Sequence, residues 1–94
     1  MLENKEVQGF MTASAQRFEE IADHYARVAA LMESCAANLL TVIPQDERLV
    51  DEIDALHERT VRLAKAARGV HHECNGLSAH HQSIADRCAE IQAE

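Results

Sequence analysis

Four of the six histidines fall within eleven residues, His71-His72-Glu73-Cys74-Asn75-Gly76-Leu77-Ser78-Ala79-His80-His81. Imidazole and thiolate are the usual protein ligands of zinc and other divalent transition metals. Residues three or four apart share one face of a helix, so His71 and Cys74 can grip one ion, with His81 further along the same stripe. The segment 71–81 therefore admits a metal-binding or small-molecule-binding bundle with His71, Cys74 and His81 as metal ligands. The donor set is incomplete. No Glu-x-x-His repeat of the di-iron carboxylate type occurs, and no His-Glu-x-x-His, so a second chain would have to complete the site. The main expectation is therefore no cofactor, with a divalent metal such as zinc as the alternative.

Catalysis has less support than metal binding. The chain has no glycine-rich phosphate loop, no Gly-x-Ser-x-Gly turn and no nucleophile beside an evident base. Ser78 and His81 stand three apart, a spacing that arises readily by chance on any helix. No catalytic residues are assigned, and the chain is expected not to be an enzyme.

Charge narrows the partners. Sixteen acids against nine bases give a net charge of −7, the wrong sign for a phosphate-binding surface, so nucleic acid is not expected as a partner. The one basic cluster, Arg59, Arg62, Lys65 and Arg68, reads as a solvated helix face. The first ten residues contain no apolar leader segment. The longest uncharged run, residues 34–43, is about half of the ~20 residues that span a bilayer. No membrane association and a cytoplasmic location follow as expectations. Three cysteines without Cys-x-x-Cys spacing read as reduced, apolar core residues.

The elements that carry these residues are legible in the apolar periodicity. One run is Val7, Met11, Ser14, Phe18, Ile21, Tyr25, Val28, Met32, Cys35, Leu39, Val42. The other is Leu49, Ile53, Leu56, Thr60, Leu63, Ala67, Val70, Cys74, Leu77, His81, Ile84, Cys88, Ile91. A mean step of 3.5 residues keeps one stripe of a helix facing its neighbours. The only proline, Pro44, stands between the runs and would break a continuous helix. Sixteen alanines and three glycines suit long helices. The sequence thus predicts an all-α chain in one domain, 1–94. It is an antiparallel hairpin of helices at about 5–42 and 45–92, with Asn4 capping the first. Asn75-Gly76 is a turn signal elsewhere, but the apolar phase runs through it unbroken, which favours one continuous second helix.

Folding back at Pro44 sets Phe18 opposite Val70 and Ser14 opposite Cys74, and leaves two unlike edges. One consists of Ala15, Ala22, Ala29 and Ala36 with Val50, His57, Ala64 and His71, and is nearly free of charge. It is expected to be a dimer interface, because small residues let another backbone approach and a single hairpin buries little. Two hairpins would form a four-helix bundle. The other edge carries Phe10, Leu31, Arg59 and His80, the expected surface for a second helical protein. The function expected is a non-enzymatic interaction module (an adaptor, chaperone-like or regulatory bundle) working as a homodimer.

Overall fold

The computed structural model describes residues 3–93. Residues 1, 2 and 94, at the ends of the expected domain, lie outside the described residues. Two helices make up the structure, α1 (Asn4–Leu39) and α2 (Arg48–Ala93), with no strand among the described residues. They pack antiparallel along their lengths into a rod with Cα extents of 72 × 19 × 14 Å.

α1 stops at Leu39, short of the expected Val42. The amides of Leu40, Thr41 and Val42 each turn back three residues, to the carbonyls of Ala37, Asn38 and Leu39, tightening the last turn. The Thr41 hydroxyl also donates to the Asn38 carbonyl at 2.7 Å, closing off the helix end. Pro44 then disfavours a helical conformation at Ile43, and residues 42–44 adopt no regular structure.

α2 starts at Arg48 rather than near residue 45. Asp46 therefore lies just outside the helix instead of in its first turn. Its carboxylate accepts the Arg48 backbone N–H at 2.9 Å and is gripped by the Arg48 guanidinium. The side-chain hydrogen bonds from Arg48, with its backbone N–H second, hold the Asp46 carboxyl below its ordinary value. At the start of α1 the cap position is Glu3, with no side-chain cap hydrogen bond, and Asn4 is already helical. Asn4 is therefore not the cap that its residue type suggests.

α2 runs straight through Asn75-Gly76. No described residue has positive φ, so neither Asn nor Gly uses the backbone freedom that a turn would need.

The register differs from the one expected for a tight reversal at Pro44. Phe18 meets His81, with ring centroids 5.2 Å apart, rather than Val70. Ser78 reaches the Ala15 carbonyl, and His71 the Ala22 carbonyl. The cause is the connection, residues 40–47, which carries the chain past the end of α1 before α2 begins. Leu40 consequently shares a groove with His57 and Val61, and the first turns of α2 overhang α1.

Candidate protein-interaction surface

The seam between α1 and α2 is made of small side chains. Ala22 and Ala29 are completely buried, and Ala15, Ala36, Ala64, Ala67, Cys74, Ala85 and Cys88 nearly so. No large side chain is fully buried among the described residues. The four alanines of α1 recur every seven residues and bring α2 close to the α1 backbone. At that approach the Ser78 hydroxyl donates to the Ala15 carbonyl at 2.7 Å. One heptad away, the His71 Nδ1–H donates to the Ala22 carbonyl at 2.8 Å. A carbonyl only accepts, which fixes the His71 proton on Nδ1 and leaves Nε2 to accept from the Asn75 amide at 3.3 Å.

This placement corrects the expected dimer interface. Ala15, Ala22, Ala29, Ala36 and Ala64 are covered by the chain's own partner helix and are closed to a second chain. His57 and His71 are half-buried beside them. Val50, in the overhanging first turn of α2, is exposed. The residues one position before them on each heptad were expected in the hairpin seam. Ile21, Cys35, Leu49, Leu56, Leu63, Val70, Leu77 and Ile91 are exposed instead, while Val7, Ser14, Val28 and Ile84 stay half-buried. The two stripes differ by about 100° around a helix, so large aliphatic residues predicted to be intramolecular core lie on a flank.

The two flanks of the rod are chemically different. One is polar: Thr12, Gln16, Glu19, Asn75 and Gln82 line a shallow groove along it. Further along, Arg68 pairs with Glu33 across the helices. Near the connection the polar flank carries a more apolar groove of about 370 Å³, between Ala36, Leu40, His57 and Val61.

The other flank carries the long aliphatic stripes. From α1 come Val7, Ser14, Ile21, Val28 and Cys35, and from α2 Leu49, Leu56, Leu63, Val70, Leu77, Ile84 and Ile91. Leu63 is 58% exposed, Leu56 49%, Ile21 41%, Leu77 40% and Val70 38%. Phe18, Tyr25, Met32 and His81 close the inner margin of this flank and are half-buried. The result is an apolar strip along much of the rod, flanked by Arg59 and Arg62 beside Leu63 and by Glu73 and His80 beside Leu77. Contiguous exposed apolar surface of this kind marks interaction sites. Phe10, Leu31, Arg59 and His80 are all exposed, with Arg59 beside Leu63 and His80 beside Leu77.

The metal ligands proposed from sequence are not gathered into a site. His71 turns to the Ala22 carbonyl on the polar side of the seam. Cys74 is buried in the seam, and His81 stacks edge-on against Phe18 toward the apolar flank. No group of three His, Cys, Asp or Glu side chains placed to hold a metal ion occurs among the described residues. His81 Nδ1 is buried without a hydrogen-bond partner. Cys35 is exposed on the apolar flank, while Cys74 and Cys88 are buried thiols.

No described helix is long and apolar enough to cross a membrane. No protein-family model, curated protein or solved structure matches the chain.

Proposed function

We propose that this chain is a non-enzymatic interaction module whose working surface is the apolar flank, and which assembles with another helix pair into a four-helix bundle. One observation carries the reading: the apolar stripes of both helices are centred between the hairpin seam and this flank, rather than on the seam itself. In a four-helix bundle each helix has two neighbours, and its apolar stripe points between them toward the bundle axis. The alanine seam satisfies one neighbour; Ile21, Val28, Leu63, Val70 and Leu77 await the other. The 72 Å by 19 Å extents give the flank an outline on the order of 1,000 Å², against roughly 800 Å² per partner in a standard interface. A second copy of the chain is the simplest partner, because a two-fold dimer closes the bundle with no exposed stripe left over.

Sedimentation equilibrium of the untagged chain and of a Leu63→Glu, Leu77→Glu variant tests this. The wild-type chain is expected to sediment heavier than a single chain, and the variant as one chain that keeps its helical circular dichroism. Assembly that survives both glutamates would overturn the assignment of the flank.

A further inference from the structure

We infer that the partner on the apolar flank is a second copy running in the opposite direction, with α1 against α1, α2 against α2, and the two-fold axis passing beside Val70. The inference rests on the assembly reading above and adds its geometry. Two symmetric arrangements can close the bundle. An axis along the rod sets α1 of one copy on α2 of the other. An axis across the rod sets like helix on like helix.

The stripes define where an axis across the rod would pass, and charge favours it. Val70 is the midpoint of the seven stripe positions of α2, and reversal about it lays Leu63 on Leu77 and Leu56 on Ile84 of the other copy. The cross-helix contacts His71–Ala22 and His81–Phe18 place Val70 level with the stretch of α1 between Ile21 and Val28. Reversal about that level lays Ile21 on Val28 and Ser14 on Cys35. One axis therefore serves both helices. The axis along the rod also lays stripe on stripe, with Val28 on Val70 and Ile21 on Leu77 within the register set by the same contacts, so position alone does not choose between them.

Charge separates the two arrangements. Along the margins of the flank, reversal sets Glu52 against Arg87 and Glu20 against Arg27 of the second copy, and sets no two like charges opposite each other. The axis along the rod instead sets Glu6 against Glu90, and leaves Glu20 and Arg27 facing Gly76 and Gly69. Opposed charges fix register and partner, and like charges disfavour it.

Cysteine cross-linking in a Cys35→Ser background tests the geometry, since Cys74 and Cys88 are buried. Val70→Cys is expected to give a disulfide-linked dimer under mild oxidation. Leu63→Cys alone is expected to give none. Its symmetry mate lies fourteen residues away along α2, about 21 Å at ~1.5 Å per residue and far beyond disulfide reach. The Leu63→Cys, Leu77→Cys double variant, whose two thiols are equally far apart within one chain, is expected to link between chains and gives a second readout if Val70→Cys folds poorly. A chain that sediments as a dimer but links at neither Val70 nor the Leu63–Leu77 pair overturns the arrangement and leaves the assembly reading standing. A wild-type chain that is monomeric overturns both.

Discussion

Replacing Ala22 with Leu should destabilise the hairpin by about 2–4 kcal/mol, and the magnitude follows from the seam. Ala22 is fully buried, and its carbonyl accepts the His71 Nδ1–H at 2.8 Å. Three further carbons have no space there, and overpacking of a tight contact typically costs about 1–3 kcal/mol. Forcing α2 away also breaks the His71 bond, whose net worth is on the order of 1 kcal/mol. Urea unfolding followed by circular dichroism, at one fixed protein concentration, reads the sum. With a slope of about 2 kcal/mol per molar, the middle of the range for small proteins in urea, the midpoint falls by roughly 1–2 M. Ala30→Leu, on an exposed position of the same helix, should stay within about 0.5 kcal/mol of wild type. A midpoint for Ala22→Leu that is unchanged or raised would refute the alanine seam as the intramolecular contact, because an open edge would accept and reward the added carbons.

Other consequences can be checked with the same preparations. Leu63 is 58% exposed in the hairpin, so covering it recovers about half of the ~1.5–3 kcal/mol of a fully buried leucine. Counted in both copies, Leu63→Glu should raise the dimer dissociation constant by roughly tenfold to a few hundredfold. Ala79→Lys on the polar flank should leave the constant unchanged, both measured by sedimentation over a dilution series. Cys35, exposed on the apolar flank, should react with a thiol reagent faster in the Leu63→Glu variant than in wild type; equal rates would argue that Cys35 is not covered. Asp46→Asn should lower the melting temperature by fraying the start of α2, seen as faster amide exchange at Arg48, Leu49 and Val50. Because Arg48 lowers the Asp46 pKa from 3.8, the contribution is present above pH 3.8 and is lost as pH falls through the lowered folded value. The fraying difference between wild type and Asp46→Asn should therefore vanish in strong acid and persist at neutral pH.

Much of the fold is legible in the residues. The 3.5-residue period gives two helices, Pro44 gives the reversal, and unbroken phase across Asn75-Gly76 gives a continuous α2. The expected seam is half right, since Ala67, Cys74 and Cys88 are buried in it, but which neighbouring stripe completes it is not legible, for a physical reason. Ile21 and Ala22 are neighbours about 100° apart, and each belongs to a perfect heptad. Apolar periodicity reports the mean direction of all a helix's neighbours, so a helix with two neighbours shows one broad stripe and hides which contact lies within the chain. The alanines pointed correctly to a close helix contact but not to whose helix makes it. The register was hidden too, because it depends on how far residues 40–47 run before turning, which Pro44 alone does not set. The histidine segment promised chemistry only while His71, Cys74 and His81 were read on a common stripe. In the folded hairpin the seam passes between His71 and His81, and each finds a different neighbour on α1.

Native mass spectrometry of the untagged chain at low micromolar concentration addresses the central claim most directly, that the apolar flank is an assembly surface. A species of twice 10.5 kDa is expected, reverting to the single-chain mass in Leu63→Glu, Leu77→Glu while the helical content holds. A single-chain mass for the wild type, with its aliphatic flank stable in water on its own, would contradict it.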